Sequence, residues 1–442
     1  MSIDPGPAGK VTRRLPIPII ILGIILPVIL ILGVLVLGDM KTLWVPDLYG
    51  ENVYRFTITN FPLPGYPTFY QNTSIDVSSF NCTPNSVVMR NNTLYIACTS
   101  YGTSGTDQVL AYNTLTNKFG PAITGLGTDN NQYFNGLIAL VVDRYQNLWV
   151  SSYVNNLLLR VSSGTSSGNL DSSDPPLVDR SVYNSPGAPA GMTIDPRDGS
   201  LWIVGQYHNG IVVNFPATND TNVNSVNQPG TFLGNGNTGN ALGPSLNPVF
   251  CIALNPGDCS QPQTAPFNNP EGVTVFNNAV WVSNNGGTAP TGTILQLTKA
   301  ATGNTLSSKV YGGNIGNPFS CPGGLFATAP TTFWFHTNPA TLWVNDEAFG
   351  RGGAGQPPTV CGFSDASHPA LPGDTGPTVG RVIEFLAGDL SQPTQPTPET
   401  FANSNKIVTS SPGFGGIYVQ SIPAICFISM RLGFGAGCRN WL

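Results

Sequence analysis

Beyond residue 40 the chain is built from short apolar runs. Stretches of β-branched and aliphatic residues are bounded by Gly, Asn, Asp and Pro, a pattern that signals strands rather than helices. A unit opens after a Gly, as in NGLIALVVD (135–143), AGMTID (190–195) and EGVTV (271–275). A polar turn follows, then a strand with a central aromatic. A third strand completes the visible pattern, as in NLLLRV (156–161), GIVVNF (210–215) and GTILQL (292–297). No convincing amphipathic helix follows residue 40.

The aromatic strand recurs six times: Leu43-Trp44-Val45, Leu94-Tyr95-Ile96, Leu148-Trp149-Val150, Leu201-Trp202-Ile203, Val280-Trp281-Val282 and Leu342-Trp343-Val344. The aromatics are separated by 51, 54, 53, 79 and 62 residues. A four-stranded propeller blade takes about 40–50 residues, so the first three intervals fit one blade each. The last two need insertions, and the Gly-, Pro- and Asn-rich stretches 216–248 and 350–378 supply them as long loops. The expected fold class is therefore all-β, a six-bladed β-propeller, with a β-sandwich as the competing architecture. The first aromatic strand has no opening strand before it, whereas PGFGGIYVQSI (412–422) looks like one. This predicts ring closure by pairing of that C-terminal strand beside residues 42–47, which leaves only short, protected edges. The aromatic of each unit is expected to be buried between blades.

Charge changes the picture. Charged residues make up 9% of the chain, against about 25% in ordinary soluble proteins. Neutral amides and hydroxyls must solvate the surface instead. The net charge is −5 and no basic cluster lies outside the N-terminus, so no nucleic-acid partner is expected.

The stretch LPIPIIILGIILPVILILGVLVLG (15–38) carries no charge and is long enough to cross a bilayer. Lys10, Arg13 and Arg14 precede it, which favours an N-terminus inside and the remainder outside. The expected organisation is a cytoplasmic-side tail (1–14), one N-terminal transmembrane helix acting as a signal-anchor (15–38), the propeller (42–422) and a C-terminal tail (423–442). A cleaved signal peptide is the alternative, but its apolar region is normally shorter. The expected localisation is a single-pass membrane protein on a cell or virion surface.

Eight cysteines suit an oxidising exterior. They fall as near neighbours, which suggests the disulfides Cys82–Cys98, Cys251–Cys259, Cys321–Cys361 and Cys426–Cys438, among 105 possible connectivities. The last pair would close the tail, as a cap under the ring or as a docking tail. Sequons at Asn72, Asn81, Asn91 and Asn219 permit glycosylation without arguing for it.

The Pro-x-Gly openings followed by Leu-Trp strands resemble the six-bladed propellers of the NHL-repeat, streptogramin-lyase-like and SMP-30/gluconolactonase group, over residues 42–420 or so. For a gluconolactonase the resemblance implies a metal-binding Asn in an NGL opening, matched by Asn135-Gly136-Leu137. It also implies a catalytic, metal-binding acid in the next opening, where this chain has Pro189-Ala190-Gly191-Met192. Ala190 can neither hold a cation nor accept a proton, which argues against that enzyme. Lyase-like chemistry would need a His, and only His208, His336 and His368 exist, none with a carboxylate in local register.

An acid does stand at the equivalent place one unit later, Pro270-Glu271-Gly272, and Asn85 precedes the first strand of the second copy. Three positions past the aromatics come Asp47, Ser152, Asn284 and Asp346, with Glu347 beside the last. Asn85, Asn135, Glu271 and Asp346 are the candidate oxygen ligands for Ca2+ or Mg2+ at the channel; the alternative is that they satisfy backbone and water. No nucleophile elbow, P-loop or zincin motif occurs.

Two functions follow. The first is a binding or structural surface module, meeting the membrane through 15–38 and a protein, a glycan or further copies through loops 216–270 and 350–378. The second is a divalent-metal hydrolase or lyase of the lactonase-like propeller type, with its active site in the central channel. A sensory NHL-like scaffold is a weaker third.

Overall fold

The computed structural model describes residues 39–47, 51–60, 68–100, 107–126, 132–155, 157–161, 176–178, 188–206, 211–215, 250–253, 267, 269–285, 292–299, 306–312, 322–328, 331–333, 336–338, 340–346, 381–386, 406–408 and 416–423. Among them the structure is all-β, a 3-10 turn at Ser78–Phe80 being the one helical element. The strands form a propeller-like arrangement of four-stranded antiparallel sheets, six of them among the described residues.

The first sheet orders Tyr418–Pro423, Asp39–Asp47, Asn52–Asn60 and Thr68–Asp76. The second runs Thr83–Arg90, Thr93–Thr99, Gln108–Asn113 and Lys118–Phe119. Leu137–Val142, Leu148–Ser152, Leu157–Val161 and Pro176–Val178 make the third, and Pro189–Ile194, Leu201–Gly205, Ile211–Phe215 and Phe250–Ala253 the fourth. The fifth holds Pro270–Phe276, Ala279–Asn284, Thr293–Lys299 and Leu306–Gly312. The sixth holds Pro322–Thr328, Thr341–Asp346, Arg381–Leu386 and Lys406–Val408. A small hairpin, Thr331–Phe333 with His336–Asn338, sits between two strands of the sixth. Each recurring aromatic lies on the second strand of its sheet. Trp44, Tyr95, Trp149, Trp281 and Trp343 are buried, and Trp202 is partly buried against the core shared by the fourth and fifth sheets.

Closure occurs as the repeat pattern predicts. Tyr418–Pro423 pairs antiparallel with the chain's first strand, from Trp44↔Tyr418 to Asp39↔Pro423. Gly416, just ahead of this strand, exchanges backbone hydrogen bonds with the second sheet, donating to Asn85 O (2.7 Å) and accepting from Val87 N (3.2 Å). Both ends of the described chain are thus tied into one sheet, and that sheet into its neighbour.

The opening strand of the second to sixth sheets carries an irregularity at the same place. In the fifth, Pro270 pairs with Asn284 and Gly272 with Ser283, so Glu271 is an extra residue bulged out of the ladder. Asn85 occupies the same bulge in the second sheet, between Pro84↔Cys98 and Ser86↔Ala97. Bulges of this kind re-aim side chains. The Gly of the Pro-x-Gly opening has a separate reason. A Cβ on Gly272 would collide with the Gly323 carbonyl of the sixth sheet, and one on Gly191 with the Glu271 carbonyl of the fifth. Neighbouring innermost strands approach too closely for any side chain there.

Cys82 and Cys98 form the disulfide expected of that hairpin. Cys251 lies on the fourth strand of the fourth sheet. Cys259, Cys321, Cys361, Cys426 and Cys438 lie outside the described residues, as does the segment 15–38. Among the described residues no helix is long and apolar enough to cross a membrane.

Candidate functional site

The innermost strands of all six sheets line one cavity of about 520 Å³. Its wall is mostly aliphatic, because residues of these strands that face inward in a closed sheet arrangement meet other strands rather than bulk water. Among the described lining residues the ionisable groups are Glu271, Arg197 and Tyr418. They stand at different levels. Glu271 and Asn85 lie in the bulges where the innermost strands begin, which we call the mouth. Arg197 lies at the opposite end, in the turns that join first and second strands, where it ion-pairs with Asp195 and donates to Asn278 Oδ1 at 2.8 Å. Tyr418 stacks edge-on with Phe326, ring centroids 5.2 Å apart, and burial pushes its phenol up to about 12.

Glu271 is the unusual group. It is 8% exposed, and Asn285 Nδ2 donates to its Oε2 at 2.6 Å. Burial raises its pKa, and the bond from Asn285 opposes that shift without cancelling it. No cation faces it among its described partners to offset that shift. Asn285 is itself fully buried, and its Oδ1 has no hydrogen-bond partner.

Around Glu271 stands a set of groups from one structural position. Tyr153, Gln206 and Asn285 each donate their backbone N–H to the residue just before an opening strand, namely Gly136, Ala188 and Asn269. Those three acceptors all have positive φ (67°, 55° and 53°). This equivalence aligns the openings: Leu137, Pro189 and Pro270 correspond, and so do Ile138, Ala190 and Glu271. The side chains then form a neutral collar. Tyr153 donates from its hydroxyl to Gln206 Oε1 at 2.8 Å, and its phenol is raised by burial and, secondarily, by the nearby Glu271.

The four candidate ligands are therefore placed as follows. Asn85 and Glu271 share the cavity wall, Asn85 donating from Nδ2 to Leu137 O at 2.8 Å. Asn135 is exposed and bonds from Nδ2 to Asn155 Oδ1 at 3.0 Å, away from the lining. The sequence match of its NGL to a Pro-x-Gly opening is displaced: the residue equivalent to Glu271 is Ile138, three positions on. Asp346 pairs through its backbone with Pro322 at the start of the sixth sheet; its side chain lies outside the described residues. Asp47 is buried in the first sheet's hairpin, opposite Asn52. Ser152 and Asn284 pair with Leu137 and Pro270.

The collar residues lie four positions past the aromatic, one beyond the positions that the repeat spacing singles out. A signal existed in the sequence, since 153, 206 and 285 keep the same offset, but only the hydrogen-bond register shows that this offset reaches over the mouth. His336 lies on the small hairpin, while His208 and His368 fall outside the described residues. Of the sequons, Asn81 and Asn91 are exposed turn residues with positive φ; the Asn72 side chain and Asn219 lie outside the described residues.

A Ca2+ or Mg2+ ion fits the described donors poorly. Among the described residues no three His, Cys, Asp or Glu come together, and Glu271 is the one acid among the described residues of the cavity wall. Three other described acids of the second to fourth sheets are spent on structure. Asp143 accepts from Trp149 Nε1 (2.9 Å) and Asn147 Nδ2 (2.9 Å), Asp195 holds Arg197, and Asp107 accepts from Ser100 N–H at 2.7 Å and from the Gly136 N–H. No protein-family model and no curated protein matches this chain.

Proposed function

We propose that the protein is a six-bladed β-propeller of the NHL/SMP-30 kind, carried outside a membrane by residues 15–38, and that it works as a binding module rather than a metal hydrolase. The observation that supports this is the cavity wall: apolar over most of its area, with one acid, whose pKa burial raises, and no cluster of metal-ligating groups among the described residues. Metal-assisted hydrolysis needs a metal-bound water at the reacting atom.

The anchor would orient the module. Tyr418–Pro423 runs away from the mouth, because Gly416 at its start lies beside Asn85, and Asp39 pairs with Pro423 at its far end. A bilayer-spanning segment ending at residue 38 therefore brings the Arg197 end towards the membrane and turns the Glu271 mouth outward. The insertion 347–380 departs from Asp346, level with Pro322 at the mouth, and so would meet partners. The stretch 216–249 departs from Phe215, opposite Leu201 at the membrane end.

The test is calorimetric titration of Ca2+ and Mg2+ into the full-length chain in lipid nanodiscs, with Glu271→Gln alongside. The expected result is no cation binding that depends on Glu271. Tight binding lost in Glu271→Gln would overturn the reading in favour of the metal hydrolase or lyase.

A further inference from the structure

The cavity combines a largely apolar body with an acid, Glu271, at its mouth. Its volume, about 520 Å³, lies within the roughly 300–1,000 Å³ of small-molecule sites. Val141, Phe326 and Ala327 are wall residues that keep part of their surface open. At the mouth, Glu271 has Oε2 engaged by Asn285, and no described residue bonds to its Oε1. The groups around it, Tyr153, Gln206 and Asn285, are uncharged. The cation on the lining, Arg197, is at the far end and already committed to Asp195.

We propose that this cavity binds a small uncharged molecule with an aliphatic body and a hydrogen-bonding head group, an aliphatic amide being the simplest case, with the head group meeting the Glu271 carboxyl.

Each alternative charge state meets a physical obstacle. A carboxylate would be moved from water to a wall whose one described cation, Arg197, is already paired with Asp195. An ammonium would need the Glu271 anion that burial disfavours, in a buried ion pair whose desolvation is repaid only by excellent geometry and further hydrogen bonds. A neutral amide loses less on transfer than a charged group and can pair with the carboxyl oxygen that Asn285 does not engage. The site needs neither the anchor nor a macromolecular partner, so it can fail or succeed independently of the reading above.

The experiment uses the full-length chain in nanodiscs, with empty nanodiscs as the partition control. Hexanamide, hexanoate and hexylamine are titrated by calorimetry at mildly acidic pH. Hexanamide is expected to bind, with the two charged analogues weaker by about tenfold or more, the equivalent of one well-made hydrogen bond or a modest desolvation cost. Glu271→Leu should weaken hexanamide by about tenfold, and Glu271→Gln, which keeps an N–H donor, should restore most of it. Val141→Trp, which fills the cavity, should abolish binding; Ala327→Phe serves if the first variant does not fold. Three results would overturn the proposal: no hexanamide binding to the wild type, unchanged binding in the filled variant, or charged analogues binding as tightly. An empty, water-filled channel would give the first of these.

Discussion

Ser283 donates its hydroxyl to the backbone carbonyl of Gly323 on the next sheet while accepting the N–H of Gly272 on its own (2.8 Å). Ser151 repeats the arrangement two sheets earlier, accepting from Ala139 N–H (2.8 Å) and donating to Ala190 O (3.1 Å). A bulge frees the N–H, the adjacent sheet presents the carbonyl, and one hydroxyl satisfies both. Ser283→Ala would leave two buried backbone groups without partners. A loss of about 2–4 kcal/mol is expected, at about 1–3 per orphaned group with partial relief. Denaturant unfolding of the variant checks this, and an unchanged midpoint would remove the seam from the account of sheet-to-sheet cohesion.

Close approach at the same seam predicts a sharp contrast between glycines. Gly272→Ala puts a methyl into the Gly323 carbonyl and within 2.8 Å of Leu325 N, so it should cost about 1–3 kcal/mol or more. Gly120→Ala meets only Ala111 O, at 3.7 Å, and should be nearly neutral. Melting curves of the two variants side by side would show whether the strand spacing is as tight as described.

Glu271 makes stability depend on pH with a definite sign. Its folded pKa lies above its unfolded value because burial disfavours the anion. The folded state therefore binds the proton more tightly. The stabilisation is fully present below the ordinary carboxylate range and is lost as pH rises through the folded pKa. Wild type should lose stability relative to Glu271→Gln on going from acid to neutral pH, so that the variant's advantage grows across this interval. A difference between the two proteins that does not vary with pH would mean that Glu271 titrates normally.

The Cys82–Cys98 bond closes a loop of sequence separation 16, for which chain-entropy arguments give about 3 kcal/mol. Replacing both cysteines by alanine should lower stability by about that amount while leaving the hairpin register intact. Amide exchange on residues 84–99 would report it: faster global opening, with the same protected amides.

The apolar rhythm alone was enough to read the strands, the six aromatic cores, the C-terminal closing strand and the Cys82–Cys98 pair. Each of these is a local statement about which residues alternate, where turns fall, and which ends of a hairpin meet. The bulges were not legible in this way. Asn135 looked equivalent to an opening residue because its NGL text matches, yet the ladder gives that place to Leu137 and Ile138. A one-residue bulge leaves no mark in hydrophobic periodicity, although it decides which side chain reaches the axis. Likewise Glu271 was visible as an acid at an opening, but its raised pKa was not. That shift arises from innermost strands of other sheets that exclude water from its surroundings, and it is opposed by the bond from Asn285, fourteen residues away. The sequence by itself determined the strands and their repetition, because backbone pairing and burial act over a few residues. The tertiary structure alone decided the chemistry of the mouth, because desolvation and hydrogen-bond partners depend on what six distant segments place together.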